Sequence, residues 1–150
     1  DPDAVYGHIT WCGYAGDAVP AEEARVFGHV LAGRDAALAL VQKNWPGEMQ
    51  GWQVDRACRD VIAKTGMGDL FVHRTGHSIH RAVHGNGTHM DDFETHDTRK
   101  LLPDTCFSIE PGLYLPGKFG FRSEIDVYLE PERAVVFGQP IQTALVPFLA

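Results

Sequence analysis

Two segments in the second half of the chain decide its fold: C-F-S-I-E-P-G-L-Y-L at residues 106–115 and F-G-F-R-S-E-I-D-V-Y-L at residues 119–129. In the second segment, apolar or small side chains alternate with charged or polar ones, which is the period of a β-strand. We therefore predict strands at 106–109, 112–115, 119–129 and 134–137. Short turns join these strands, so we expect an antiparallel sheet.

The rest of the chain adds one strand and two helices to this sheet. Residues 4–12 are rich in β-branched and aromatic types, which predicts a strand. Apolar side chains share one helical face over about 20–43, and Pro20 suits the start of that helix. A second helix is predicted over about 52–65, where Lys64 and Gly66 are stop signals. The class is α+β, with the helices on one face of the sheet, in a single domain over 1–150.

Composition excludes several classes of protein. The formal net charge of -7 over 150 residues argues against a basic surface for nucleic acid. No apolar run is long enough to span a membrane, and no secretory signal is visible. Three widely spaced cysteines argue against a disulfide framework and favour a reducing, cytoplasmic compartment. They are Cys12, Cys58 and Cys106.

Three polar motifs could carry chemistry. Residues 73–96 hold six of the eight histidines, in a stretch without helical periodicity. Glu110 and Glu124 lie on or beside predicted strands downstream. An imidazole and two carboxylates make an oxygen-rich site that suits manganese, cobalt, iron or zinc, and two carboxylates can hold two ions. The alternatives are a polar histidine loop and solvated glutamates.

The order of the motifs resembles a known family. T-G-H-S-I at 75–79, V-H-G-N-G at 83–87, S-I-E-P-G-L-Y at 108–114 and R-S-E-I-D at 122–126 are similar to the signatures of the pita-bread metallopeptidases. This family includes methionyl aminopeptidase, aminopeptidase P and prolidase, and the resemblance is closest to the Xaa-Pro peptidase branch. It runs from about residue 5 to 136. It implies a curved antiparallel sheet with helices on one face.

The resemblance also implies roles for individual residues. The family binds two divalent metals through two aspartates, one histidine and two glutamates, and the matching positions are His77, Glu110 and a bridging Glu124. Glu110 would also move the proton of the attacking water. The implied reaction is hydrolysis of the N-terminal peptide bond of short peptides, possibly with proline second, by metal-activated water. Three further residues match other active-site positions: His84 as a contact to the substrate or tetrahedral intermediate, His73 as a second active-site histidine, and Arg122 as support for the bridging carboxylate.

Two metal positions depart from the family pattern. The first aspartate belongs to a strand before residue 1, and neither Asp1 nor Asp3 is assigned as its substitute. The second aspartate belongs to a D-I-T-W-like motif, which is replaced by H-I-T-W at residues 8–11. His8 could bind one ion but could not bridge two, or it could be a strand residue beside an empty site. The catalytic domain is therefore expected to be incomplete at its N-terminus, with two, one or no ions.

His80 stands where many relatives have glycine, and is either a pocket residue that contacts substrate or a polar loop residue. The leading hypothesis is a metal-dependent exopeptidase of the Xaa-Pro aminopeptidase or dipeptidase type, with a homodimer possible. The alternative is a metal-depleted pseudoenzyme that binds peptides or proteins. A third hypothesis, metal-free hydrolysis resembling creatinase, is less attractive because His77, Glu110 and Glu124 are all retained.

Overall fold

The computed structural model describes residues 3–149, and within this range it contains two α-helices, one short 3-10 helix (Gly68–Leu70) and eight short strands. The helices are α1 (Ala21–Asn44) and α2 (Gly51–Ala63). The strands are β1 (Gly13–Tyr14), β2 (Ser78–Ile79), β3 (Cys106–Ile109), β4 (Gly112–Leu115), β5 (Phe119–Arg122), β6 (Ile125–Leu129), β7 (Ala134–Phe137) and β8 (Val146–Pro147). The predicted α+β class and both predicted helices are confirmed. None of the helices in the described part of the chain is long and apolar enough to cross a membrane.

Local sequence accounts for the ends of both helices. Pro20 precedes α1, whose first turn carries two glutamates and whose last turn carries Lys43, charges that complement the helix dipole. At the start of α2, the side chains of Gln50 and Gln53 bond each other's backbone N–H groups in a capping box. Gly66 adopts a φ of 79° just beyond α2, which is the left-handed conformation typical of a helix stop.

The main sheet is antiparallel, with the strand order β2-β3-β6-β7. β4 and β5 form a separate hairpin, and β1 and β8 form a short parallel pair that joins the two ends of the chain. The α1 helix lies against β3, β4 and β5, and α2 packs on α1. Phe27 of α1 meets Phe121 of β5 edge-on, with ring centroids 5.7 Å apart. The core therefore lies between the helices and the sheet.

The single strand predicted at 119–129 is wrong: it is divided into β5 and β6, which belong to different sheets. The division lies at Ser123 and Glu124, opposite the break between β3 and β4. Pro111 causes that break, because it has no N–H to continue the ladder, and its carbonyl instead accepts a 3.2 Å hydrogen bond from Ser123 N. Glu124 is thus presented at a corner between two sheets.

The strand predicted at 4–12 is also wrong, because this segment is extended without forming a regular strand. Tyr6 N donates to His80 O at 3.1 Å, and Thr10 forms an isolated bridge with Glu124. The two partners belong to separate elements, so no continuous ladder can form. Regular pairing begins only at β1. The N-terminal segment, residues 4–12, is therefore attached to the sheet at a few points.

Candidate metal centre

Three side chains that can bind metal converge at the corner between the sheets. His8 comes from the N-terminal segment, His77 from the residue before β2, and Glu124 from the junction of β5 and β6. One potential ligand atom from each lies within 4.8 Å of the other two. They line an open cavity of about 420 Å³, together with His84, Glu110 and Arg122. Sequence-distant motifs are therefore brought together at one site.

His77 is held so that one ring nitrogen faces the cavity. The side chain is nearly buried, and its residue is only 3% exposed. Nδ1 donates to the carbonyl of Ser78 at 3.1 Å, which leaves the lone pair of Nε2 free on the other side of the ring. Burial, with further contributions from His84 and His8, lowers the pKa of His77 to about 4. The imidazole is therefore a ready metal ligand at neutral pH.

The two oxygens of Glu124 have different surroundings. Oε2 accepts a 2.5 Å hydrogen bond from Thr10 Oγ1 and lies 3.5 Å from Arg122 Nη2. Oε1 lies 3.6 Å from His8 Nδ1. Burial would raise the pKa of Glu124, but hydrogen bonds and the neighbouring positive charges outweigh it, so the pKa is lowered. The carboxylate is held in its ionised form with Oε1 turned to the histidines.

Glu110 follows β3 and lies at the edge of the cluster. Its Oε1 is 3.9 Å from His77 Nε2. Burial and a hydrogen bond with Glu124 raise its pKa well above the ordinary range. The two carboxyl groups are coupled, so in the absence of a cation they share one proton near neutral pH. A proton can therefore be held beside the histidine that faces the cavity.

Two other predicted residues, His84 and Arg122, lie at this site. The His84 ring centroid is 4.4 Å from that of His77, and the exposed His84 forms part of the cavity rim. Arg122 reaches both Glu124 and Thr10, the latter with a 3.3 Å hydrogen bond to Oγ1. Their positions suit contact with a bound carbonyl group and support of the carboxylate, respectively.

His73 and His80 lie outside the lining of this cavity. His73 Nδ1 donates to Arg74 O at 2.8 Å, and Nε2 accepts from the hydroxyl of Tyr114 at 2.8 Å. The exposed His80 lines an adjoining cavity of about 670 Å³, which also includes Tyr6 and Asp126. The structure does not bring these two histidines together with the candidate ligands.

Sequence reasoning missed the residues that fix the ligands in place. Thr10 bonds Glu124, and the buried Arg34 donates to Ser123 Oγ at 2.8 Å, next to Glu124. Asp55, on the buried face of α2, accepts from Thr75 N at 2.7 Å and so anchors the loop that carries His77. The sequence signal that could have identified Asp55 was the presence of an ionisable residue on the otherwise apolar face of α2.

The loop around His89 and His96 is only partly exposed to solvent. His96 is exposed, but His89 is half-buried and its Nδ1 accepts a 3.0 Å hydrogen bond from Ser78 N. Asp91 and Asp97 are buried. Their carboxylates accept hydrogen bonds from backbone N–H groups, so this loop is an ordered support for the residues beside His77.

The chain belongs to Metallopeptidase family M24, whose sequence model matches residues 3–131. It is 42% identical over 96 residues to a probable dipeptidase PepE of Mycobacterium tuberculosis, covering 63% of this chain. It is 34% identical over 119 residues to an Xaa-Pro dipeptidase of Lactobacillus helveticus, covering 75% of this chain. The crystal structure of dipeptidase PepE from Mycobacterium ulcerans superposes with a TM-score of 0.74 at 33% identity, over 90% of this chain. The predicted pita-bread fold is thereby confirmed.

The chain matches only part of each of these proteins. It covers 24% of the M. tuberculosis protein, 30% of the L. helveticus protein and 34% of the M. ulcerans chain. The chain thus spans about a quarter to a third of the relatives it matches.

Proposed function

We propose that this chain carries the metal-binding part of a metal-dependent exopeptidase of the Xaa-Pro dipeptidase or aminopeptidase type. The observation that carries the proposal is the convergence of His8, His77 and Glu124 at an open cavity, with Glu110 beside them. Imidazole and carboxylate donors within a few ångströms fit a divalent transition metal. Membership of a metallopeptidase family supports the same reading.

The residues around the cavity would have different roles in the proposed hydrolysis. A bound divalent ion of the manganese, cobalt, iron and zinc group would supply a Lewis acid and an activated water. Glu110 would be ionised beside the cation and would accept a proton from that water, and the surroundings that raise its pKa would help it hold the proton until it passes to the leaving amine. His84 would donate to the oxygen of the peptide carbonyl. Arg122 and Thr10 would hold Glu124 in position.

Short peptides with proline second are the proposed substrates. Support comes from the relatives described as Xaa-Pro dipeptidase and from the size of the cavity, about 420 Å³, which suits two or three residues. A cytoplasmic setting is supported by the three free cysteines. A homodimer is expected from the family resemblance alone, and light scattering after size exclusion would test it.

Hydrolysis of dipeptides tests the proposal. Purified chain, loaded in turn with manganese, cobalt and zinc, is expected to release proline from Xaa-Pro dipeptides, and a chelator is expected to stop the reaction. Glu110→Gln should lower turnover by roughly 100-fold or more, with an unchanged circular dichroism spectrum. Hydrolysis that is insensitive to the chelator, or no hydrolysis with any of the three metals, would contradict the proposal.

One observation favours a second candidate function, a peptide-binding module without turnover. His8 brings no negative charge where the family has an aspartate, so the centre is weaker in carboxylates than the family pattern. Binding of Xaa-Pro peptides that a chelator does not affect, without release of proline, would support this reading.

A further inference from the structure

His8 lies in the cluster in a position that suits a metal ligand. Its ring centroid is 5.2 Å from that of His77, and its Nδ1 is 3.6 Å from Glu124 Oε1. The backbone of His8 is held in place, because His8 N donates to Asp126 Oδ2 at 2.7 Å and Thr10, two residues later, forms a β-bridge with Glu124. These contacts direct the imidazole toward the other two side chains. They argue against a strand residue that merely lies beside an empty site.

The spacing suits one ion. Nitrogen and oxygen ligands lie about 2.1 Å from zinc, so the ligands of one tetrahedral ion lie about 3.4 Å from one another. The three ligand atoms lie within 4.8 Å of one another, and His8 Nδ1 is already 3.6 Å from Glu124 Oε1, so modest side-chain rotations would bring all three to that separation. The two imidazoles and the carboxylate come from three elements that surround the same point. The open side of the cluster faces the cavity, where a water or a substrate oxygen could complete the coordination.

The two oxygens of Glu124 are not equally available for a metal. Oε2 accepts the 2.5 Å hydrogen bond from Thr10 and lies 3.5 Å from Arg122. A carboxylate that bridges two ions must give one oxygen to each, and here the second oxygen already has partners. Oε1, which faces the histidines, is therefore the oxygen of Glu124 better placed to bind an ion. This geometry disfavours the pair of ions that the family resemblance implies.

The total charge of the three proposed ligands also disfavours a pair of ions. Histidine ligates as a neutral imidazole, so His8, His77 and Glu124 together supply a single negative charge. Glu110 is the other carboxylate in the cavity lining. Two adjacent divalent ions would bring four positive charges, which the two carboxylates of the cavity lining would balance only in part. An imidazole-rich set also favours zinc, iron or cobalt over manganese, which prefers carboxylate and water ligands.

We propose that this chain has a single-ion centre in which His8, His77 and Glu124 bind one divalent ion, with zinc preferred over manganese. The inference deepens the proposed function and rests on it only in taking the cluster to be a metal centre. His8 then replaces the carboxylate of the family pattern as a true ligand and changes both the number and the kind of ion. Glu110 remains outside the three ligands, free to handle protons.

Metal stoichiometry tests this inference without an activity assay. Metal-free chain is titrated with Zn²⁺ and Mn²⁺ by calorimetry, and bound metal is counted by elemental analysis after desalting. We expect one Zn²⁺ per chain and weaker binding of Mn²⁺. Binding of Co²⁺ should give a visible absorption spectrum that shifts when His8 is replaced, since a ligand of the ion has changed.

Three substitutions make the test specific. His8→Ala and His8→Gln should each weaken zinc binding by at least about 100-fold, since even residues that only support ligands are worth up to that factor. His8→Asp should raise manganese affinity relative to zinc. His29→Ala is the matched control: His29 lies on α1, contacts Arg25 at the surface, and should leave zinc binding unchanged. Circular dichroism shows whether each variant is folded.

The outcomes separate this inference from the proposed function. Two ions per chain, or zinc affinity unchanged in folded His8→Ala and His8→Gln, would overturn the single-ion centre while leaving metal-dependent hydrolysis intact. One zinc with the expected loss in the His8 variants, but no proline released with any metal, would support the centre and contradict the exopeptidase. No binding of any metal would contradict both.

Discussion

Arg34 shows how one buried residue supports the corner that presents Glu124. The residue is 2% exposed, and its Nη1 donates to Ser123 Oγ and to Gln142 O, both at 2.8 Å. Its acidic partner, Asp35, is exposed. The guanidinium is therefore held mainly by hydrogen bonds that connect α1 to the sheet corner and to the C-terminal part of the chain.

Arg34→Met is expected to destabilise the fold by roughly 3 kcal/mol, because each buried partner left without its donor costs about 1–3 kcal/mol. The free energy of unfolding from urea titrations measures the change. Arg133→Met is the control, since Arg133 is an exposed residue paired with Glu130 in an i,i+3 contact, and it should cost less than about 1 kcal/mol. Equal effects of the two substitutions would contradict the supporting role of Arg34.

His89 makes the stability of the metal-free protein depend on pH. Its Nδ1 accepts a hydrogen bond from Ser78 N, which protonation would break. Burial, with help from Arg74 and Arg99, lowers the pKa of His89 below its ordinary value of 6.5. The unfolded chain therefore binds the proton more readily than the folded chain, so stability is lost as the pH falls below 6.5.

His89→Asn should reduce this loss, because its amide oxygen can accept from Ser78 without titrating. The measurement is the melting temperature of the metal-free wild type and variant at several values between pH 7 and pH 5. The variant should show the shallower decline with falling pH. His96→Asn serves as the comparison, since its ring is exposed and forms a hydrogen bond with Asp92 at the surface. Parallel curves for wild type and His89→Asn would show that the His89 proton has no part in the decline.

At the residue scale, the sequence predicted which side chains meet but not how their atoms are used. His77, Glu110 and Glu124 stand in motifs whose order alone identified them, and His8 was found as the residue in an aspartate position. The division of the two Glu124 oxygens between Thr10 and His8 depends on three-dimensional contacts between segments over a hundred residues apart. His73 matches an active-site position of the family motif, but its hydrogen bond with Tyr114 holds its ring outside the cluster.

At the scale of elements, the packing of α1 on α2 is controlled by Gly33. A Cβ at this position would lie 2.9 Å from Ile62 Cδ1 and 3.0 Å from Cys58 Sγ. Gly28, on the same helix, has nothing within 4 Å of its would-be Cβ. Both glycines weaken the helix intrinsically, but only Gly33 allows the close approach of α2.

Gly33→Ala and Gly28→Ala should therefore change stability in opposite directions. Gly28→Ala is expected to stabilise by about 0.5–1 kcal/mol through helix propensity. Gly33→Ala gains the same propensity but overpacks the contact with α2, at a cost of about 1–3 kcal/mol, so a net loss is expected. Chemical denaturation of the two variants beside wild type measures both. Stabilisation by Gly33→Ala would show that α2 can move away at no cost.

The elements that sequence predicted best are those with local causes. Both helices follow from their periodic apolar faces and end signals, and their bounds lie within two residues of the prediction. The strands at 119–129 and 4–12 failed because strand pairing depends on the partner. Pro111 interrupts the partner of the first, and the second has two separate partners. Period-2 alternation indicates a strand but says nothing of where its ladder is broken.

At the scale of the whole molecule, Gln142 joins the two ends of the chain. Its side chain accepts from Cys12 N at 2.8 Å and donates to Cys12 O at 2.5 Å, while its own carbonyl accepts from Arg34. The β1–β8 pair lies beside these contacts. The segment that carries His8 is thus attached to the body of the protein through a single buried amide as well as through the sheet corner.

Gln142→Ala is expected to cost about 2 kcal/mol, because it leaves both backbone groups of Cys12 without their partner. It should also weaken metal binding, since Cys12 follows His8 and Thr10 along the chain. Thermal unfolding and metal titration measure the two effects. Gln42→Ala, an exposed position near the end of α1, should change neither. A destabilised Gln142→Ala variant with full metal affinity would show that the N-terminal segment holds its position independently.

The attachment of the N-terminal segment to the rest of the protein affects the conformational entropy of the chain. A metal that joins His8 to Glu124 links two residues that are more than a hundred positions apart in the sequence, much as a reversible disulfide would. Because the ion binds only the folded arrangement, its affinity includes the conformational entropy lost when the segment is immobilised. Metal binding and immobilisation of the N-terminal segment are then a single coupled equilibrium. Withdrawal of the ion would remove this link, and residues 4–12 would then be held by protein contacts such as those of His8 N with Asp126 and of Thr10 with Glu124.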